Sequence, residues 1–156
     1  MYRRLLVAID GSPVSQRVLE HAIALAKARR AALRVVHVLD TGLLALGIEL
    51  GLDVKPLAEA HRSSPRQLLA RALETVDAAG IQAEIELLET GAPGRHTAHA
   101  IADDAARWEA DAVVLGTHGH PDLGRRMLGS VAERVARFAS VPIVLIPPAE
   151  PNNRGS

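Results

Sequence analysis

Short aliphatic runs recur along this chain, and each is followed by a turn signal and then by a segment with helical spacing. That alternation constrains the fold more than any other feature. Leu5 to Ile9 (LLVAI) is continuously apolar, as expected of a strand buried on both faces. Asp10-Gly11-Ser12-Pro13 interrupts it, with Ser12 suited to an N-cap and Pro13 to the first helical position. Val14, Val18, Ala22 and Leu25 then predict a helix running to about Arg30, and Leu33 to Leu39 a second strand. Asp40 to Lys55 reads as irregular and unusually apolar. Ser64-Pro65-Arg66-Gln67 has capping-box spacing with proline at the first helical position, and Gly80 can close the helix that follows. Ile81 to Leu88 alternates apolar and polar residues like a half-exposed strand near a sheet edge. Pro93 opens a third helix ending near Trp108, Ala112 to Leu115 is a fourth strand, Ser130 to about Ala139 a fourth helix, and Val141 to Ile146 a fifth strand.

Strands alternating with helices predict an α/β domain, an open, doubly wound five-stranded parallel sheet with helices on both faces. Right-handed crossovers leave few topologies. If the chain winds outward from strand one through two and three, strand four returns beside strand one. Their connections then leave in opposite directions, and open α/β sheets bind ligands at such a switch point. Two loops meet there: Asp10-Gly11-Ser12, and the run after strand four, GTHGHPDLGRRMLGSVAERV from Gly116 to Val135.

The totals narrow the function classes. With 18 basic and 18 acidic residues, the chain lacks the basic footprint of a nucleic-acid binder. It has no cysteine, which removes disulfides and Cys-ligated metal centres. No stretch approaches the ~20 apolar residues of a membrane helix. The N-terminal run ends in Asp10 without a cleavage site and reads as a strand and not as a signal peptide. A soluble cytoplasmic protein is expected, with one domain over residues 1–147 and a disordered tail over 148–156.

The glycine-rich run has the parts of a phosphate cradle. Gly116 and Gly119 let a ligand approach the backbone closely. Gly129-Ser130 sits at a helix start, where free amides and the helix dipole favour an anion. Neither G-x-x-x-x-G-K-[ST] nor G-x-G-x-x-G after a strand is present, and the only lysines are Lys27 and Lys55.

What stands here is Gly116-x2-Gly119-x9-Gly129-Ser130, which closely resembles the ATP-binding signature of the universal stress protein family. The likeness extends over nearly the whole chain: LLVAIDGSPVSQRVLEHAIALA, LRVVHVLD, TGAPGRHTAHAIADDAARWEADAVVLGTHG and MLGSVAERVARFASVPIVLIP are similar to successive family segments. The resemblance implies a flavodoxin-like, Rossmann-like domain with strand order 3-2-1-4-5. It further implies a homodimer formed through the last strand, Val141–Ile146, and the subclass that binds adenine nucleotides. Carried over by residue, Asp10 and the backbone around Ala8 and Ile9 line the adenosine side. Val38 meets the adenine edge through its backbone, and Gly116 lies by the ribose. His118, Gly119, Gly129, Ser130 and Val131 surround the phosphates. ATP with Mg²⁺ is the implied cofactor; on the residues themselves, Asp10 and Ser130 are the groups available to hold the Mg²⁺.

Other readings stand beside these. Ser130 and Glu133 have capping-box spacing, and Asp10 can be a simple turn former. His118 and His120 offer two metal ligands with no placed third; His96 and His99, one helical turn apart, read as a solvated face. Arg125 and Arg126 either meet a triphosphate or are ordinary surface residues. Three functions follow: an ATP-holding stress-response module acting through an unidentified protein partner, a slow ATPase or phosphotransferase with His118 as acid or base, and a nucleotide-free dimeric adaptor. No P-loop lysine or water-positioning residue can be named for the second.

Overall fold

The computed structural model describes residues 2–91, 96–117 and 128–149. Its order is β1 (Arg4–Ala8), α1 (Ser15–Arg29), β2 (Ala32–Leu39), α2 (Gly42–Glu49), α3 (Lys55–Ala78), β3 (Ala83–Glu89), α4 (Thr97–Arg107), β4 (Ala112–Gly116), α5 (Ser130–Phe138) and β5 (Ile143–Ile146). The five strands form one parallel sheet in the order β3-β2-β1-β4-β5. Central β1 pairs on both sides, Val7 lying opposite Val35 of β2 and Val114 of β4.

Because side chains alternate along a strand, the sheet carries two cores. Leu5, Val7, Leu33, Val35 and Val114 pack under α1 and α3 with Val18, Ala22, Leu69 and Val76. Leu6, Val36, Val113 and Leu115 pack on the other face with Ala98, Ile101, Ala132 and Val135 of α4 and α5. One charged pair enters the second side. The guanidinium of Arg34 on β2 donates to both carboxylate oxygens of buried Asp104 on α4, at 2.8 and 3.0 Å.

Several boundaries differ from the sequence reading. Ser12 is not the cap of α1, which begins at Ser15. The Asp10 carboxylate instead accepts from the Ser12 amide, a turn that holds residues 10–14 outside the helix. The Asp40–Lys55 segment contains the helix α2, so the crossover from β2 to β3 carries two helices. Ser64-Pro65 is not a helix start: α3 runs through it from Lys55, where Pro56 supplies the proline signal and Asp53 accepts the Lys55 amide. Pro65 is buried and falls on the stripe Pro65-Leu69-Ala72-Val76, so packing of its ring offsets the hydrogen bond that it cannot make. Gly80, at φ +78°, follows α3 in the left-handed conformation that glycine accommodates. β3 begins two residues later than expected, and its pattern is that of an edge strand, with Glu84 and Glu86 exposed. α4 begins at Thr97; Pro93 lies outside the described residues. β5 begins at Ile143, although the Pro142 carbonyl already accepts the Val113 amide.

Candidate functional site

β1 and β4 are neighbours, and the chain leaves them toward opposite faces. α1 packs with the first core and α5 with the second, so the carboxyl ends of the two strands open into a crevice. A cavity of about 220 Å³ occupies it. Its floor is Ala8 and Ile9 at the end of β1, with Leu115, Gly116 and Thr117 at the end of β4. Val14, Ser15 and Val18 close one side, and Thr97 and Ile101 of α4 the other. His37 and Val38 of β2 form the far wall, and Gly129 to Ala132 form the near one.

Main-chain bonds set the rim. The Ile9 amide donates to the Val36 carbonyl at 2.9 Å, holding the end of β1 against β2. The Thr117 amide donates to Ile146, and the Gly129 amide to the Thr117 carbonyl at 2.6 Å. The two ends of the glycine-rich run are therefore joined where β4 stops and α5 starts.

Polar groups are few. Asp10 is exposed, and its Oδ1 accepts the Ser12 amide and the Ser15 hydroxyl, each at 2.8 Å; the Asp10 amide donates back to Ser15 Oγ. His37 Nδ1 lies 2.8 Å from the Ile9 carbonyl. Since a carbonyl only accepts, Nδ1 carries the proton of this bond and donates it. At α5 the N-cap is Gly129, which has no side chain to cap with. The first amide to reach an N-cap carbonyl is that of Glu133, so those of Ser130, Val131 and Ala132 have no partner within the helix.

Ala8, Ile9, Asp10, Val38, Gly116, Gly129, Ser130 and Val131, all named from sequence, line this one cavity. His118, Gly119, His120, Arg125 and Arg126 lie outside the described residues. The capping-box reading of Ser130 and Glu133 is not realised. Ser130 is the first helical residue, and Glu133 Oε1 accepts from Arg137 at 3.0 Å, along the helix. Nor are His96 and His99 simply a solvated pair: the His99 ring stacks on Phe138 of α5 at 4.3 Å and on His96 at 5.6 Å. Among the described residues no group of three or more His, Asp or Glu is placed to hold a metal ion.

Sequence reasoning missed Ser15, His37, Thr97 and Thr117. His37 and Thr117 had a usable signal, since each adjoins a residue that was named. Ser15 had none, because the turn that places it was read as the helix start.

The universal stress protein family model matches residues 1–147. Universal stress protein MJ0531 of Methanocaldococcus jannaschii is 30% identical over 146 residues, 94% of this chain and 82% of that protein. The structure of universal stress protein UspA from Lactobacillus plantarum is 25% identical with a TM-score of 0.74, covering 93% of this chain and 97% of that one. A universal stress protein from Archaeoglobus fulgidus, solved in complex with dAMP, is 27% identical with a TM-score of 0.67, covering 93% and 98%.

Proposed function

The chain belongs to the universal stress protein family, and from that premise we propose that it holds an adenine nucleotide, ATP with Mg²⁺, in the cavity between β1 and β4. The observation that carries this reading is the uncapped start of α5: three amides without helical partners, on a wall of a cavity at the topological switch point. The dAMP bound to the Archaeoglobus fulgidus relative supports the choice of adenine.

In this reading the phosphates lie against Gly129, Ser130 and Val131, with His118 and Gly119 on the loop side. The ribose lies by Gly116, and the adenine edge meets the backbone of Val38, with Ala8, Ile9 and Asp10 beneath the adenosine. The described wall offers a carboxylate, Asp10, and no lysine or arginine. Phosphate charge would then be met by helix amides and by Mg²⁺, which the Asp10 carboxylate would help to hold. The protein acts as a nucleotide-dependent regulatory module in the cytoplasm. It pairs with a second copy through the open edge of β5.

The test is to identify any small molecule released on denaturing freshly purified protein, and to titrate the emptied protein with MgATP. An adenine nucleotide in the supernatant and saturable binding support the reading. No released nucleotide and no binding at millimolar MgATP would overturn it in favour of a nucleotide-free adaptor.

A further inference from the structure

The N–H and C=O of one residue in a strand point to the same side, and successive residues alternate sides. On β2 the Val36 carbonyl accepts the Ile9 amide, toward β1, and the Leu39 carbonyl accepts the Thr90 amide, toward β3. Val38 shares the parity of Val36. Its N–H and C=O therefore both turn toward the β1 side, at the level where β1 has already ended at Ala8. The β1–β2 ladder starts with the Ala32 amide donating to the Arg3 carbonyl and continues in steps of two. Its next step past Val36 would run from the Val38 amide to the Ile9 carbonyl. That bond is not made. The Ile9 carbonyl accepts Nδ1 of the His37 imidazole instead, at 2.8 Å.

A carbonyl at a strand end needs a donor, and the sheet would ordinarily supply one from the neighbouring main chain. Here the side chain of residue 37 supplies it, so the amide of residue 38 keeps no acceptor in the ladder. Ile9, His37 and Val38 all line the cavity. The far wall thus carries a donor and an acceptor from one residue, side by side and unspent by the β1–β2 ladder. Adenine presents the complement of such a pair, its 6-amino donor beside a ring-nitrogen acceptor.

We propose that His37 is a positioning residue for base recognition: its ring occupies the Ile9 carbonyl and so keeps the Val38 amide open for the adenine edge. The inference rests on the nucleotide reading above and adds to it a residue that acts through Val38 without touching the base. With no donor at position 37, the Ile9 carbonyl takes the next donor of the ladder, the Val38 amide. The β1–β2 pairing then closes by one step, and the donor that the base would use is spent inside the sheet. A ring that served only as packing would be replaced without loss by an apolar side chain of similar size. A ring that serves as a donor is replaced only by another donor at the same reach.

The test joins amide hydrogen exchange at Val38 in nucleotide-free protein to calorimetric titration with MgATP, for wild type, His37→Leu, His37→Gln and His37→Asn. The asparagine amide carries its N–H the same number of bonds from the main chain as Nδ1; the glutamine amide carries it one bond further. His37→Leu and His37→Gln are expected to slow exchange at Val38 at least about tenfold and to weaken MgATP about fivefold, the loss of one hydrogen bond. His37→Asn should return both readings toward wild type. A Val38 amide already protected in the wild type, equal MgATP affinity in wild type and His37→Leu, or His37→Asn behaving like His37→Leu would each overturn the proposal. Wild-type protein that binds no MgATP fails the nucleotide reading itself. In that case a Val38 amide that exchanges fast in wild type and slowly in His37→Leu would show that the gap in the ladder is real and that it serves no base.

Discussion

The Ser15 hydroxyl and Asp10 hold each other in a closed ring through the main chain and side chain of Asp10: Oγ accepts the Asp10 amide at 2.8 Å and donates to Asp10 Oδ1 at 2.8 Å. Ser15 is buried, at 8% exposure, while Asp10 is open to the cavity rim. The ring fixes which carboxylate oxygen is occupied and so which remains for a ligand.

Ser15→Ala should therefore act on both stability and binding. Loss of the two bonds is expected to lower unfolding free energy by about 1 kcal/mol. If Asp10 serves the nucleotide, MgATP affinity should fall about tenfold, equivalent to ~1.4 kcal/mol. Urea unfolding and calorimetric titration read the two effects separately. A variant as stable and as tight as wild type would show that the ring positions nothing.

Ser130→Glu separates the helix terminus as an anion site from the helix terminus as a structural element. A carboxylate in the first turn of α5 complements the dipole and should leave stability unchanged or raise it by about 0.5 kcal/mol. Beside bound phosphates the same charge is repulsive and should weaken MgATP at least about tenfold, equivalent to ~1.4 kcal/mol. Equal affinity in the two proteins would place the phosphates elsewhere.

The sheet was readable from the sequence because its central strands are buried on both faces and leave uninterrupted runs such as Leu5 to Ile9. The cavity walls were readable in part because glycine at 116 and 129 has a backbone meaning that survives without a structure. α2 was not readable: its two glycines and apolar composition give no amphipathic period, and its exposed leucines find no place in a monomer's core. The start of α3 was obscured by two successive proline signals, at Pro56 and Pro65, of which the helix uses the first and buries the second. Ser15 was hidden because Asp10 draws the following residues into a turn, which local helix propensity does not register.

Asp104 and Arg34 form a two-bond ion pair with side-chain exposures of only 4% and 15%. The pairing, chiefly the hydrogen bond with Asp104, raises the Arg34 guanidinium above its ordinary range. Asp104→Ala leaves the Arg34 cation with the exposed Glu84, at 2.8 Å, as its remaining partner and should cost about 2 kcal/mol. Arg34→Leu/Asp104→Leu removes both charges and should recover most of the loss. Chemical denaturation of the two variants checks this. A double variant as damaged as the single would mean that the pair contributes packing and not charge.

Among the described residues, two carboxylates contribute to the acid limb of stability. The amides of Arg3 and Arg4 hold the Asp111 carboxyl below its usual range, and the Arg62 guanidinium does the same for Glu89 at 2.5 Å. The unfolded chain titrates these groups near their ordinary values, about 3.9 and 4.3. Because both folded values lie lower, their contribution is complete above that window and is lost as pH falls through the folded values. Asp111→Asn should be less stable than wild type at neutral pH, and the two urea midpoints should converge as the solution is acidified. A gap that widens toward acid would reverse the assigned sign.

Backbone amide shifts during titration of ¹⁵N-labelled protein with MgATP test the central claim most directly. The nucleotide reading predicts saturable shifts at Ser130, Val131 and Ala132, together with Asp10 and Val38, whose side chains or backbone line the same cavity. Unmoved amides at the start of α5 under saturating MgATP, or shifts confined to residues away from the β1–β4 crevice, would contradict it.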